Sequence, residues 1–162
     1  MMKHKYTNLK DLQPDQTSCL YQRHIKNTFH GSLGMKLLVC EPGYCLTRTK
    51  IEPQFTNATG AVHGGFLFTI ADTTAGLAAI RSGTEGSVTT VDSHIQYLRP
   101  ALNLTDIYAE AEIIKDGKRL AFIDVKIFTE EGVPLVKGSF TFARLVLPNS
   151  KVPTEDDPCD CL

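Results

Sequence analysis

The sequence predicts one α+β domain in which an antiparallel β-sheet is wrapped around one long central helix. Three observations carry this prediction. The chain of 162 residues is 42% apolar and 22% charged, which is typical of a globular domain with a real core. One long, mostly apolar stretch with helical character lies near the middle of the chain. Runs with strand character lie on both sides of it, joined by residues that form tight turns.

The first predicted element is a short amphipathic helix over residues 14–29. Asp15 and Thr17 are residue types that cap the first turn of a helix. Apolar side chains then recur at a spacing of four, at Tyr21, Ile25 and Phe29. We therefore expect residues 1–30 to form an N-terminal helical segment that covers one edge of a larger domain.

The strand-like runs come next. Two lie in the stretch GMKLLVCEPGYCLTRTKIEP, where the Pro-Gly pair at 42–43 predicts a turn. Four more follow the central helix: SVTTVDSHIQYLRP, LTDIYAEAEIIK, RLAFIDVKIFTE and VPLVKGSFTFARLVL. The Asp-Gly pair at 116–117 is the strongest short-range hairpin signal among them. We expect the domain to span residues 31–147 and residues 148–162 to form a flexible tail.

The central helix is expected from about Gly64 to Arg81. Its large apolar side chains fall on one stripe that should face the sheet: Phe66, Ile70, Leu77 and Ile80. Asp72 lies about 120° from the centre of that stripe. The face around Asp72 otherwise carries small residues: Gly65, Thr69, Ala75, Gly76 and Ala79. A face this small lets another backbone, or a ligand, come close.

Asp72 is the first candidate for chemistry. A helix acid usually points to water, but solvated faces carry several charged residues, and this face has none before Arg81. Asp72 is therefore predicted to be a lone carboxylate in small, mostly apolar surroundings. Because partial desolvation strengthens a carboxylate as a general base or nucleophile, we interpret Asp72 as catalytic.

His63, Gly64 and Gly65 stand where this helix begins. The first N–H groups of a helix have no partner within it, and glycine lacks the Cβ that would keep a substrate oxygen away. One such donor can stabilise a carbonyl oxygen in a transition state by about 3 kcal/mol. The alternative is that the glycines only shape the turn into the helix and that His63 is an ordinary cap or core histidine.

Spacing predicts how these two features cooperate. Gly64 and Asp72 are eight residues apart, which is about 12 Å along a helix and too far for both to reach one carbonyl from one chain. Two antiparallel copies of the helix about a two-fold axis would bring Gly64 of one chain near Asp72 of the other. Function through this pair therefore implies a homodimer.

Four features together resemble one known family. They are Asn57, the run from His63 to Gly65, Asp72 nine residues beyond the histidine, and the strand end QYLRPA. This combination resembles the hotdog-fold thioesterases, specifically the PaaI-like acyl-CoA thioesterase group, over residues 31–147. The resemblance implies a hotdog fold and hydrolysis of acyl-CoA thioesters at the interfaces of a homodimer or dimer of dimers. It implies no metal or redox cofactor, since coenzyme A enters only as part of the substrate.

The resemblance also implies roles for single residues. The Gly64 N–H would polarise the thioester carbonyl with help from the Asn57 side chain. Asp72 of the facing subunit would activate water or attack the carbonyl itself, and both routes stay open. Thr90 would orient the water, and His63 would assist at the departing thiol. Basic residues are candidates for the phosphates of coenzyme A: Lys115, Lys118 and Arg119 beside one turn, with Arg81 and Arg99 as further candidates.

Two other functions remain open. A hotdog hydratase or dehydratase would act on acyl thioesters with the same fold, although its typical helix entry differs from HGGFLFTIAD. A non-catalytic acyl-CoA binding protein would keep the pocket but has no need of the acid.

Composition argues against several other classes. The formal charge of −1 provides no global field for nucleic acid. Cys159 and Cys161 are the only clustered soft ligands, too few for a zinc site. We find neither an apolar signal region nor an uncharged stretch of membrane-spanning length, so no membrane span is expected and the expected location is cytoplasmic. The last four residues formally fit a prenylation box, but Asp160 suits it poorly.

Overall fold

The computed structural model describes residues 5–6, 8–82 and 87–145. In this part of the chain one antiparallel sheet curls around one long helix, which confirms the predicted α+β class. The helices are α1 (Cys19–His24), α2 (Phe29–Ser32) and α3 (Gly64–Ser82). The strands are β1 (Met35–Glu41), β2 (Tyr44–Lys50), β3 (Ser87–Tyr97), β4 (Asp106–Asp116), β5 (Leu120–Phe128) and β6 (Pro134–Leu145).

The strand order in the sheet is β1-β2-β4-β5-β6-β3, and all neighbouring pairs are antiparallel. Both predicted hairpins form, β1–β2 around the turn at 42–43 and β4–β5 around the turn at 116–117. β3 follows α3 in sequence but lies at the edge of the sheet, where β6 is its neighbour. One edge of β3 therefore has no partner strand among the described residues.

Helix α3 is buried on more sides than one apolar stripe would require. Ala75 and Ala79 are fully buried, whereas Ile80 is only half-buried. The small face does admit a close neighbour, but this neighbour is a strand of the same chain. A Cβ on Gly76 would lie 3.3 Å from Cε1 of Phe142, a residue of β6. At Gly76 the close neighbour of the small face is therefore the sheet of the same chain, and the expected pairing of two chains stays a prediction.

A buried hydroxyl pair joins α3 to the middle of the sheet. Thr47 on β2 and Thr74 on α3 are both fully buried, and their Oγ1 atoms lie 2.9 Å apart. Thr74 also donates to the backbone oxygen of Ile70 at 2.8 Å. The pair satisfies two polar groups in a core that is otherwise apolar.

The N-terminal segment differs from the predicted single helix over residues 14–29. The backbone N–H of Asp15 donates to Leu37 O at 2.8 Å, so this part of the chain bridges to β1 instead of starting a helix. Helix α1 starts later because Ser18 caps it, accepting a hydrogen bond from Tyr21 N at 3.2 Å. Ile25, just after α1, is fully buried in the main core.

Residues before α1 cover the outer face of the sheet, the face opposite α3. Leu9 is buried there, and Tyr6 and Leu12 pack beside it, against the buried residues Leu38, Tyr44, Leu46, Tyr108 and Phe128. The N-terminal segment therefore covers part of a sheet face as well as an edge. Whether residues 1–30 and 31–147 are separate units stays a prediction.

The β4–β5 hairpin is fixed to the C-terminal end of α3 by Arg144, whose side chain is only 9% exposed. Its guanidinium donates to Ala79 O at 3.1 Å, Ser82 Oγ at 2.9 Å and Gly117 O at 3.2 Å, and it pairs with Asp116. Cationic donors suit a helix C-terminus, where the last carbonyl groups lack partners within the helix.

In the ranges given above, no helix is long and apolar enough to cross a membrane. The expected cytoplasmic location stays a prediction. The expected flexible tail, with Cys159 and Cys161, lies outside the described residues.

Candidate active site

The loop that leads into α3 is organised by the side chain of Asn57. Its Oδ1 accepts hydrogen bonds from Thr59 N (2.9 Å), Thr59 Oγ1 (2.7 Å) and Ala61 N (3.2 Å). This oxygen is therefore engaged in shaping the loop. Its Nδ2 makes no hydrogen bond to the described residues, so the group that Asn57 can offer a ligand is an N–H donor.

The first turn of α3 leaves one N–H group free. His63 Nδ1 accepts a hydrogen bond from Gly65 N at 3.0 Å. The next two N–H groups, of Phe66 and Leu67, donate to His63 O. Gly64 N has no acceptor in the described part of the chain, so Gly64 carries the free donor of the helix start. With Nδ1 as the acceptor, a neutral His63 ring holds its proton on Nε2.

Tyr97, at the end of β3, contacts this first turn. Its Oη donates a hydrogen bond to Gly64 O at 2.9 Å. A Cβ on Gly64 would lie 3.4 Å from Tyr97 Cζ and 3.5 Å from Tyr97 Oη, so the ring lies directly against the glycine. In the sequence, Tyr97 stands out only as one residue of the strand end QYLRPA. The missed signal was strand alternation, which puts Tyr97 on the same face as Ile95 and Ser93.

Asp72 meets the same strand two helical turns further along. Thr90 Oγ1 donates a hydrogen bond to Asp72 Oδ1 at 2.7 Å, and Asp72 is half-buried. The structure thus brings together two predicted site residues within one chain. The prediction of a lone carboxylate among small, mostly apolar residues is therefore corrected. The Asp72 carboxylate accepts a hydrogen bond from a strand hydroxyl of its own chain.

A β-bulge gives Thr90 this direction. Thr90 pairs with Phe142 and Asp92 pairs with Thr141, so Val91 is an extra residue between them. Side chains alternate along a strand, and without the extra residue Thr90 would lie on the face opposite to Tyr97. The bulge therefore lets both Tyr97 and Thr90 face α3. Single-sequence patterns carry no clear signal for it, because it depends on the register with β6.

The predicted phosphate-binding cations lie elsewhere in the chain. Lys115, Lys118 and Arg119 are exposed at the β4–β5 hairpin, which Arg144 holds beside the C-terminal end of α3. Gly64 is at the opposite end of this 19-residue helix, about 27 Å away along its axis. The structure therefore does not bring these cations together with Gly64 of the same chain.

The two further basic candidates have different surroundings. Arg99 lies just beyond β3, near Tyr97 in sequence, and its Nη1 donates to Pro134 O at 2.9 Å. Arg81 is half-buried near the C-terminal end of α3. Within the described ranges, no group of three His, Cys, Asp or Glu side chains is arranged to hold a metal ion.

Residues 59–136 match the family model of the Thioesterase superfamily. Human acyl-coenzyme A thioesterase 13 is 35% identical over 100 residues, which are 61% of this chain and 71% of that protein. The chain belongs to the thioesterase superfamily.

Two further relatives agree with this family. The acyl-coenzyme A thioesterase PaaI of Escherichia coli is 26% identical over 102 residues, which are 62% of this chain and 70% of that protein. A hypothetical thioesterase of Streptococcus pneumoniae, solved with coenzyme A, is 28% identical and superposes with a TM-score of 0.65. That match covers 68% of this chain and 85% of the other. The predicted PaaI-like hotdog thioesterase is confirmed, and with it the enzyme class.

Proposed function

We propose that this thioesterase hydrolyses acyl-CoA thioesters to a free acid and coenzyme A. The observation that carries the proposal is the free N–H of Gly64 at the start of α3. Gly64 has no Cβ that would keep a substrate oxygen away from this N–H. Such a donor suits a carbonyl oxygen that gains negative charge during acyl transfer. The acyl-CoA substrates named for the human and Escherichia coli relatives support the same substrate class.

In the proposed reaction a water oxygen attacks the thioester carbonyl carbon and Asp72 accepts the water proton. The carbonyl oxygen becomes an oxyanion that Gly64 N–H and Asn57 Nδ2 stabilise. When the intermediate collapses, the C–S bond breaks, His63 Nε2–H donates a hydrogen bond to the departing sulfur, and the proton that Asp72 took from water passes to the thiolate. Because Thr90 donates its own proton to Asp72, its oxygen remains free to accept a hydrogen bond from that water.

The second route remains open. Asp72 would attack the carbonyl carbon, expel the thiolate and form a mixed anhydride, which water would then hydrolyse. Thr90 engages only Oδ1, so the other carboxylate oxygen is available for either role.

We propose that the working site is shared between two subunits. Asp72 lies about 12 Å along the helix from Gly64 in one chain, and the hairpin cations lie about 27 Å away. A two-fold axis that sets two α3 helices antiparallel would bring both groups of the partner subunit toward one Gly64. The unpaired edge of β3 is the available surface for such pairing, and Val91 and Tyr97 on that strand are 54% and 51% exposed.

The proposal is tested with a panel of short, long and aromatic acyl-CoAs, with released thiol measured by a thiol-reactive dye. We expect thiol release by the wild type and a loss of about 100-fold or more for Asp72→Asn, the scale of a lost general base. Asp92→Asn is the matched control, because Asp92 is exposed and pairs with Thr141, on the sheet face opposite Asp72. It should keep wild-type turnover.

Other results would point elsewhere. Binding of acyl-CoA by the wild type without thiol release would overturn the proposal in favour of a binding protein. Conversion of an enoyl-CoA without thiol release would indicate a hydratase. Unchanged turnover in Asp72→Asn would contradict the role given to Asp72.

A further inference from the structure

The peptide group between Gly64 and Gly65 is held from both of its ends. Its C=O, from Gly64, accepts the Tyr97 hydroxyl at 2.9 Å, and its N–H, from Gly65, donates to His63 Nδ1 at 3.0 Å. One clamp comes from the residue before the helix and the other from the far end of β3. The hydrogen bond from Gly65 N–H is the usual cap of a helix start, whereas the bond from Tyr97 comes from a strand that is distant in sequence.

The clamped peptide is directly next to the one that carries the free Gly64 N–H. Two consecutive glycines give this turn the least restricted backbone in the helix, because neither has a Cβ to limit its φ and ψ. A donor that stabilises an oxyanion must point at it before the reaction, because any energy needed to reorient the donor adds to the activation barrier. The two glycines that leave room for a carbonyl oxygen thus also leave the backbone the most rotational freedom. This part of the helix therefore most needs contacts that hold it in one conformation.

Tyr97 is poorly explained by folding alone. Within one chain its side chain is 51% exposed, so the ring contributes little to the core of that chain, and one exposed hydroxyl adds little to the stability of that chain. Its cross-strand partner Val136 is buried, which fixes the face of β3 from which the phenol reaches Gly64. The bulge at Val91 keeps this face continuous with that of Thr90, so one strand contacts both Gly64 and Asp72 of its own chain. In the proposed dimer these two residues belong to two different sites.

We infer that Tyr97 is a positioning residue, which sets the direction of the Gly64 N–H by holding the next peptide group. The inference rests on the proposed thioesterase function of the same site. Tyr97 does not touch the reacting atoms in this role and acts only through the backbone of Gly64.

The test uses Tyr97→Phe, which keeps the ring and removes the hydroxyl. We expect kcat to fall about five- to tenfold with KM unchanged, the size of one lost hydrogen bond. Tyr6→Phe is the matched control, because Tyr6 also donates from an exposed hydroxyl to one acceptor, Glu41, on the outer face of the sheet. It should leave kcat and KM at wild-type values.

A spectroscopic readout separates positioning from loss of folded protein. Acyl-CoA labelled with carbon-13 at the carbonyl is bound to Asp72→Asn and to Asp72→Asn/Tyr97→Phe, and infrared difference spectra record the carbonyl stretch. Weaker polarisation in the double variant should move the stretch to higher wavenumber. An unchanged stretch together with an unchanged kcat in Tyr97→Phe would overturn the inference. Failure of the wild type to release thiol would instead overturn the proposed function.

Discussion

Thr90 Oγ1 lies 2.7 Å from Asp72 Oδ1, and this hydrogen bond ties the edge strand β3 to the middle of α3. It gives the half-buried carboxylate a fixed direction, and its second oxygen accepts no hydrogen bond from the described residues. The bulge at Val91 is what turns Thr90 toward the helix. The β-bulge in β3, which depends on pairing with β6, thus sets the direction of the Asp72 carboxylate on α3.

Thr90→Val tests this hydrogen bond. The variant removes the hydroxyl at nearly constant shape, so we expect kcat for acyl-CoA hydrolysis to fall about tenfold or more, because both Asp72 and the water lose a partner. Thr90→Ser should retain most of the activity. Thr89→Val is the control, since Thr89 is exposed on the other face of the same strand. Equal activity of Thr90→Val and Thr89→Val would contradict the role of Thr90.

Gly64→Ala separates activity from stability. A Cβ there would lie 3.4 Å from the Tyr97 ring, which is a tolerable contact, and alanine favours helix over glycine by up to about 1 kcal/mol. We therefore expect unchanged or slightly raised thermal stability. Activity should fall, because the methyl group crowds the N–H that is proposed to meet the carbonyl. Calorimetry and thiol release measured on the same preparation check both halves, and full activity would argue against a carbonyl site at Gly64.

Much of the fold follows from local signals in the sequence. The Pro-Gly and Asp-Gly turns give the two hairpins, and the run of small and apolar residues gives α3. The predicted first helix is longer than the observed one, because Asp15 pairs with Leu37, a contact that helical spacing cannot reveal. The strand order escapes prediction for a similar reason. β3 bonds to β6, about 50 residues later, and no turn joins them.

The residues of the candidate site also differ in whether the sequence alone predicts them. Asp72 and Gly64 could be predicted from chemistry, spacing and resemblance together, and Thr90 from the resemblance alone. Tyr97 and Arg144 could not, because each acts on the backbone of a distant element and carries no motif for doing so. A positioning contact is visible only when both partners are in place.

Arg144→Leu should destabilise the fold by about 3 kcal/mol, because it strips donors from buried or helix-terminal carbonyl groups and leaves Asp116 unpaired. Denaturant unfolding measures the loss. Arg48→Leu is the control, since Arg48 has a loose ion pair with Asp106 at 3.9 Å. Its effect should stay below about 1 kcal/mol. Similar losses in the two variants would contradict the proposed clamp on the hairpin.

The threonine pair in the core predicts a coupled effect. Thr74→Val leaves the buried Thr47 hydroxyl without its partner and should cost about 1–2 kcal/mol, whereas the double valine variant should recover part of that loss. Thr49→Val is the comparison variant, because Thr49 is as fully buried as Thr47 and Thr74. Its hydroxyl is buried without a partner in the described residues, so this substitution should raise the free energy of unfolding. Additive losses in the cycle would argue against the pair.

The shared site predicts complementation between two inactive variants. If Gly64 of one subunit works with Asp72 of its partner subunit, a dimer of one Asp72→Asn chain and one Gly64→Ala chain keeps one intact site and loses the other. Mixing equal amounts, with subunit exchange, makes half of the dimers mixed. We therefore expect about a quarter of the wild-type kcat from two proteins that are each nearly inactive.

A site contained in one chain gives the opposite result, because every chain in the mixture then carries one damaged residue. Thiol release in the mixture would stay at the average of the two variants, however long the subunits exchange. The co-mixed variants Asp72→Asn and Thr90→Val provide the internal control. Thr90 bonds Asp72 within one chain, so both changes damage the same half-site. That pair should show no recovery even when Asp72→Asn and Gly64→Ala do, and recovery in both mixtures would contradict the subunit assignment.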